Sequence, residues 1–329
     1  TRMFLSEHPT LDEELARAKL IAHETAHMWF GDYVTMDWFN DVWTKEVFAN
    51  YFAACITEPL FPSVNHSLNW IKTYTAASLA EDRTSGSNSI RQPLDNLRNA
   101  GLIYGNIIYN KAPVMMQKLV EIMGEKAYQE GIQEYLKTYA YSNATWDDLI
   151  AILDAKTEED LASFSDVWVN QKGMPHITFT NRCGQLEIRQ RDPLNRGLIW
   201  PQRFQITFIG DESTTVEVDL SQETYALTVP LDTKAILPNT DERGYGLFIP
   251  DEQSRAWLLA HWQEITDDTA RQSLLMLLYE NYQHRIITDK EWMNALQNGL
   301  KTEKNALIAS TLCSYLGGPM RKLKDEKLE

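Results

Sequence analysis

The spacing of hydrophobic and polar residues changes twice along the chain. Up to about residue 176, apolar side chains recur every three or four positions, which is the spacing of one face of an α-helix. From residue 177 the pattern becomes short alternating runs between glycine and aspartate turns, as in antiparallel strands. Helical spacing returns at residue 251. The pattern therefore predicts a multidomain α+β protein with domains at 1–176, 177–250 and 251–329.

The individual runs predict a set of elements. In the first domain, the spacing predicts helices at 11–30, around 42–51, and at 68–80, 112–123, 125–139, 146–157 and 161–169. In the second domain, alternation predicts strands of a small antiparallel β-sandwich at 177–180, 185–188, 204–209 and 216–220. In the third, an all-α domain is expected to begin, with helices at 255–264 and 269–285.

The first predicted helix is marked at both ends and carries two histidines. Thr10 and Glu13 form a capping-box pattern at its start, and Gly31 follows its end. His23 and His27 lie four residues apart, a rise of about 6 Å on one helix face, so both imidazoles can reach one ion.

A glutamate on the next predicted helix completes a ligand set. A catalytic zinc ion takes three protein ligands and keeps one position open, and two histidines with a glutamate are one such set. We expect a helix–loop–helix hairpin to bring Glu46 back to His23 and His27, so that one Zn²⁺ binds per chain. Glu24 is too close in sequence to His23 to be the third ligand, and it is the expected general base.

Three stretches around these residues resemble the zinc aminopeptidases of the aminopeptidase N type, within the gluzincin metallopeptidases. Residues 23–32, HETAHMWFGD, resemble the family's HExxHxWFG(N/D), and residues 41–51, DVWTKEVFANY, resemble its D-L-W-L-N-E-G-F-A-x-Y. Residues 109–112, YNKA, are similar to its Y-x-K-G. Matches continue downstream in VWVNQKGMP at 167–175 and in the segment from Leu237 to Gly246.

The resemblance implies a fold and a mechanism. Residues 1–176 would be the α-helical lobe of a thermolysin-like catalytic domain. Zinc-activated water would attack the peptide carbonyl, with Glu24 acting first as general base and then as general acid. Tyr109 would stabilise the oxyanion, a task that suits a neutral hydrogen-bond donor. Tyr104 is a rival for this role, but the spacing to Lys111 favours Tyr109.

The chain also departs from the family. Lys45 stands where the family usually has asparagine, Val47 where it usually has glycine, and Ala112 again replaces a glycine. The family's G-x-M-E-N segment, which helps to bind the substrate's free amine, is expected before Thr1. The chain is therefore expected to be a fragment whose partner is the amino-terminal lobe of the same protein, and activity without that lobe is left open.

Composition narrows the possible partners. The net charge of −15 would repel phosphates and argues against nucleic acid as a partner. Peptides are the substrates that the family resemblance implies. No apolar run is long enough to predict a membrane span. The three cysteines, Cys55, Cys183 and Cys313, lack any paired spacing and are expected to be free thiols, mostly buried. They leave both a cytoplasmic and an exported location open.

Two other functions fit the same residues. An endopeptidase of the thermolysin kind uses almost the same ligand arrangement, and it would accept peptides with a blocked amino group. A non-catalytic relative that serves as a binding scaffold would usually have lost a ligand or the base, whereas all four zinc-site positions are present here.

Overall fold

A computed structural model describes residues 4–325, with side chains through residue 320. The chain divides into two compact units, Thr1–His66 with Thr73–Gly173, and Ser67–Lys72 with Met174–Glu329. Helices and several sheets are both present, so the expected mixed, multidomain architecture is confirmed. The division into three domains stays a prediction, and residues 326–329 of the third lie outside the described residues.

The first unit is built on a helix that starts where the sequence indicates. Helix α1 is Leu11–Ala26, and Thr10 and Glu13 exchange hydrogen bonds as a capping box. The helix ends earlier than the predicted residue 30, with His27 as its C-cap. The end is early because the next two amides, of Met28 and Trp29, bond to carbonyls only three residues back. Gly31 follows with a φ of 131°, which favours glycine.

Helix α2, Val42–Thr57, packs against α1 and forms the expected hairpin. The ring of Phe30, beyond the end of α1, stacks on Phe48 with centroids 4.5 Å apart and on Phe52 at 5.1 Å. Val42, Val47 and Ala49 are fully buried. Because α2 is apolar on most sides, it forms the centre of the unit.

Asp41 joins the start of α2 to two distant parts of the unit. Its buried carboxylate forms an ion pair with the Arg91 guanidinium, with Oδ1 2.7 Å from Nε, and its Oδ2 accepts a hydrogen bond from Arg91 Nη2 at 3.1 Å. It also accepts one from the backbone N–H of Trp146 at 3.1 Å. These bonds fix the amino end of α2 and thus the register of its later side chains.

The other elements of the first unit follow the predictions closely. The helix predicted at 68–80 is observed as α3 (His66–Trp70), a π-helical turn (Ile71–Thr75) and α4 (Ala76–Asp82), of which residues 67–72 group with the second unit. The remaining helices are α5 (Ala112–Met123), α6 (Glu125–Thr138), α7 (Trp146–Asp154) and α8 (Leu161–Trp168). Two short parallel strands, β1 (Val34–Met36) and β2 (Ser142–Ala144), pair with each other.

A buried ion pair holds the segment before α5. This segment, Ile107–Lys111, is a π-helical turn. Lys111 Nζ lies 2.8 Å from Asp82 Oδ2 and donates to the carbonyl oxygen of Gly173 at 2.9 Å. The hydroxyl of Ser87 donates to the other Asp82 oxygen at 2.7 Å. The pair therefore anchors the turn that carries Tyr109.

The second unit contains two sheets. One has the order β7-β4-β3-β9 and the other β6-β5-β8. The pairs are antiparallel except β3 with β9, which is parallel. The strands are β3 (His176–Arg182), β4 (Gln185–Arg191), β5 (Gln202–Ile209), β6 (Thr214–Leu220), β7 (Thr224–Thr228), β8 (Ala235–Pro238) and β9 (Leu247–Ile249).

Both sheets contribute to one buried core. Along β4 every second residue is buried, as alternation in the sequence indicates. The rings of Phe204 on β5 and Phe248 on β9 meet edge to face, with centroids 5.1 Å apart. The two sheets therefore share one core, and the parallel β3–β9 pair is a departure from the expected antiparallel order.

The carboxy-terminal helices join the same core. Trp262 and Trp292 are fully buried there, and Gly299 allows a close approach because any side chain would collide with the ring of Trp262. No described helix is long and apolar enough to cross a bilayer. The helices are α9 (Glu252–His261), α10 (Asp268–Gln283), α11 (Asp289–Thr302) and α12 (Ala306–Asp325).

The cysteines are free, as expected, but the expectation that they are mostly buried is wrong. Cys55, Cys183 and Cys313 are all exposed. Cys183 lies in the turn between β3 and β4, with a φ of 50°, where the backbone projects it from the sheet. Cys55 and Cys313 lie on α2 and α12.

The Lys111–Asp82 pair yields a stability prediction. Both side chains are at most 1% exposed, so replacing Lys111 with methionine leaves a buried carboxylate without its cation. We expect the Lys111→Met variant to lose about 3–5 kcal/mol of unfolding free energy in urea denaturation. The double variant Lys111→Met, Asp82→Leu is expected to recover part of this loss.

The control is Lys126→Met, because Lys126 is 91% exposed on α6. It is expected to change the unfolding free energy by less than about 0.5 kcal/mol. A Lys111→Met variant as stable as Lys126→Met would contradict a structural role for the ion pair.

Candidate metal centre

The predicted site residues come together at one cavity in the first unit. The cavity has a volume of about 990 Å³ and is open to solvent. Helices α1 and α2 form two of its walls, and Tyr109 lies on a third. The five residues singled out in the sequence all line it: His23, Glu24, His27, Glu46 and Tyr109.

Three nitrogen and oxygen atoms converge at this cavity. The Nε2 atoms of His23 and His27 lie 3.1 Å apart, and Glu46 Oε2 lies 3.5 Å from the first and 3.8 Å from the second. With one ligand atom taken from each of the three residues, these atoms all lie within 4.8 Å of one another. Among the residues that the structure describes, this is the one group of three or more histidine, cysteine or acidic residues with such spacing.

The outer ring nitrogens of both histidines are held by oxygen acceptors. His23 Nδ1 lies 2.9 Å from Asn50 Oδ1, and His27 Nδ1 lies 3.1 Å from the carbonyl oxygen of Phe30. These oxygens accept hydrogen bonds, so the Nδ1 atoms are assigned as the protonated nitrogens. In neutral rings both Nε2 lone pairs then point into the site.

This arrangement fits a divalent cation. Two lone pairs at 3.1 Å and a carboxylate oxygen repel one another unless a proton or a metal ion lies among them. Two imidazoles and one carboxylate are a donor set of catalytic zinc sites, and backbone or side-chain acceptors on the far ring nitrogens are typical of such ligands. The residues therefore fit zinc.

The pKa values of His23 and Glu46 also indicate that this group of side chains attracts positive charge. When the His23 ring is protonated on both nitrogens, its hydrogen bond to Glu46 is the main cause that raises the pKa of His23, although burial opposes it. Burial acts to raise the pKa of Glu46, but the hydrogen bond from His23 and the charges of Lys45 and the histidines outweigh it, so this pKa is lowered. The carboxylate is therefore ionised and available to a cation.

Glu24 and Tyr109 lie on the cavity wall beside this group. Glu24 is exposed, as expected of a residue one position round the helix from His23. Tyr109 is 39% exposed, and burial, followed by the charge of Glu46, raises its pKa above 10. Its hydroxyl is therefore neutral and able to donate. The ring of Tyr104 stacks against Tyr109 at 6.2 Å, and of the two only Tyr109 lines the cavity.

Two residues of the site were missed in the sequence. Asn50 orients His23. The sequence offered a signal for it, because Asn50 is a polar residue one helical turn after Glu46 on an otherwise apolar helix. Lys45 was noticed only as a departure from the family, yet its Nζ lies 3.6 Å from Glu46 Oε1.

Comparison with known proteins gives a family match and several relatives. Residues 2–168 match the family described as "Peptidase family M1 domain". The chain is similar to Aminopeptidase N of Streptomyces lividans, with 27% identity over 90% of this chain and 37% of that protein. It is also similar to Aminopeptidase M1-B of Oryza sativa subsp. japonica, with 32% identity over 55% of this chain and 21% of that protein.

A human protein is similar over a comparable region. Endoplasmic reticulum aminopeptidase 2 of Homo sapiens is 25% identical over 78% of this chain and 30% of that protein. The chain thus spans between about a fifth and two fifths of the length of these curated relatives.

The Asn50 contact yields a prediction about metal affinity. Removal of the acceptor in an Asn50→Ala variant frees the His23 ring to rotate and to change its tautomer. We expect zinc to bind about 10–100-fold more weakly, as is typical when an outer partner of a ligand is lost. Competition with a chromophoric chelator would measure the dissociation constant.

Asn170→Ala is the matched control, because the side chain of Asn170 contacts Asp166. Its zinc affinity is expected to equal that of the parent chain. Equal affinities for the Asn50→Ala and Asn170→Ala variants would show that Asn50 does not orient the ligand.

Proposed function

The chain belongs to peptidase family M1, and on this basis we propose that it carries the catalytic centre of a zinc aminopeptidase. Such an enzyme releases amino-terminal residues from peptides. The observation that carries the proposal is the convergence of the His23, His27 and Glu46 ligand atoms within 4.8 Å, at a cavity that Glu24 and Tyr109 also line.

The metal would be held by the two Nε2 atoms and by the Glu46 carboxylate. When bound, zinc polarises a carbonyl group and lowers the pKa of a water molecule toward neutrality. The three residues all line a cavity that is open to solvent, so a peptide could reach them. We infer that the first unit is the helical part of a thermolysin-like catalytic domain.

Glu24 is proposed to move the proton. Its carboxylate lies on the cavity wall next to His23 and is exposed, so it can meet both water and substrate. It would accept a proton from the attacking water and return it to the departing amine, acting as base and then as acid.

Tyr109 is proposed to bind the oxyanion. The reaction turns a neutral carbonyl oxygen into a negatively charged one, and a donor placed at that oxygen stabilises the transition state more than the substrate. The raised pKa keeps the phenol protonated at neutral pH, so that it can donate. The Lys111–Asp82 pair holds the turn on which it lies.

The substrate class rests on the relatives. Aminopeptidase N and the other relatives named above are aminopeptidases by name, which supports release of amino-terminal residues. We propose peptides as substrates and the amino-terminal lobe of the same protein as a partner. An endopeptidase with the same metal site is the alternative, and a non-catalytic scaffold is less well supported because all four proposed ligand and base residues are present at the cavity.

Replacement of Glu24 by glutamine tests the proton-transfer role. Glutamine has nearly the same shape but cannot accept the proton, and it leaves the three ligands unchanged. We expect the Glu24→Gln variant to bind one zinc ion per chain by elemental analysis and to hydrolyse aminoacyl p-nitroanilides at least about 100-fold more slowly.

The matched control is Glu130→Gln, because Glu130 is an exposed residue of α6. It is expected to keep both the zinc and the rate of the parent chain. A Glu24→Gln variant that retains the parent rate would refute the assignment of the base.

A pair of peptides separates the two peptidase classes. We expect this chain, joined to the amino-terminal lobe, to cleave a short peptide with a free amino group and to leave the same peptide uncleaved when that group is acetylated, because an aminopeptidase binds the free amine. Mass spectrometry of the products would identify the bond that is broken. Internal cleavage of the acetylated peptide would instead indicate an endopeptidase.

A further inference from the structure

The two oxygens of the Glu46 carboxylate face different partners. Oε2 faces the histidines, at 3.5 Å from His23 Nε2 and 3.8 Å from His27 Nε2. Oε1 faces the ammonium group of Lys45, with Nζ at 3.6 Å. The carboxylate therefore lies between a group of metal-ligand nitrogens on one side and a fixed positive charge on the other.

The surroundings keep the Lys45 ammonium at this place. Lys45 and Glu46 are neighbours on α2, so their backbones project them in directions about 100° apart, and the lysine stem must bend to reach the carboxylate. The stem runs past Gly31, where an added Cβ would lie 3.6 Å from Lys45 Cδ. The side chain of Lys45 is only 30% exposed and that of Glu46 only 8%. This is a partly buried pair, which solvent screens less than a surface pair.

The lysine also changes the charge of the site. The positive charge of Lys45 offsets the negative charge of Glu46. Among the five predicted site residues, Glu24 is then the one whose carboxylate charge is not offset by Lys45. Asparagine, the usual residue of the family at this position, would bring no charge and has a much shorter side chain. The lysine is therefore able to bind an oxygen of Glu46 that asparagine would leave free.

We propose that Lys45 is a positioning residue that engages Oε1 of Glu46 and thereby leaves Oε2 as the single oxygen presented to the metal. The proposal rests on the proposed function, since it assumes that His23, His27 and Glu46 bind the metal. A carboxylate free to turn can offer both oxygens to a metal ion. With Oε1 engaged, Glu46 would offer a single oxygen beside the two histidine nitrogens, and positions not taken by these three ligands would stay available to water and substrate.

Cobalt substitution tests the proposal by a readout other than activity. Co²⁺ replaces Zn²⁺ in such donor sets, and its visible absorption is intense at low coordination number and weak at high coordination number. We expect Lys45→Asn and Lys45→Met to lower the molar absorbance of the bound Co²⁺ by about twofold or more, because Glu46 then binds through both oxygens. Lys45→Arg keeps a cation beside Oε1 and is expected to retain the parent spectrum.

Lys126→Asn is the matched control, since Lys126 is exposed on α6 and lies outside the cavity lining. It is expected to give the parent spectrum. Circular dichroism would show which variants are folded. If the shorter asparagine disturbs α2, the test relies on Lys45→Met, whose side chain is uncharged and of similar length.

The outcomes separate the two proposals. If the parent chain binds no Co²⁺, the metal site of the proposed function fails. If the parent chain binds Co²⁺ but the folded Lys45→Met variant has the parent spectrum, the metal site stands and the role of Lys45 is overturned. A weaker spectrum for the neutral variants, with the parent spectrum for Lys45→Arg, supports the role of the positive charge.

Discussion

Two imidazole nitrogens 3.1 Å apart, with a carboxylate oxygen within 3.8 Å of both, are the constraint on which the site depends. Such a group of electron-pair donors is unfavourable on its own, because like partial charges repel in a partly buried place. A proton or a metal ion relieves the repulsion. The helices must therefore hold the donors in place against it, and the rest of the first unit supplies that support.

The support comes from contacts outside the ligand group. Asn50 and the carbonyl of Phe30 fix the two rings, and the stacking of Phe30 on Phe48 locks the end of α1 against α2. Asp41 ties the start of α2 to Arg91 and to the amide of Trp146. Apart from the local contact of His27 with the Phe30 carbonyl, these contacts join different elements, so the geometry of the site depends on much of the unit.

The three residues that depart from the family's usual sequence differ in what they change in the structure. Val47 is fully buried, so the larger side chain in place of glycine is accommodated by packing alone. Ala112 is likewise buried at the start of α5. Lys45 differs, because it brings a charge to within 3.6 Å of a proposed metal ligand. A change of charge at this distance bears on chemistry, whereas a change of volume in the core bears on packing.

The sequence by itself determined the local features. The capping box at Thr10, the two histidines one helical turn apart and the alternation along β4 all depend on residues close together in the chain, and the structure has them as predicted. The hairpin that returns Glu46 to the histidines was also predictable, because an apolar helix after a short loop has few other places to pack. Family resemblance added Tyr109, because its spacing to Lys111 matches the family's motif, whereas the spacing of Tyr104 does not.

Only the tertiary structure decided the contacts between distant residues. The Lys111–Asp82 pair, the bonds of Asp41, the parallel pairing of β3 with β9 and the exposure of the cysteines have no local pattern in the chain. The chain also has no local pattern that indicates that one oxygen of Glu46 faces Lys45 while the other faces the histidines. Periodicity reports which face of an element is buried, but the partner that a polar side chain meets depends on how the elements pack, and that is settled only when the chain has folded.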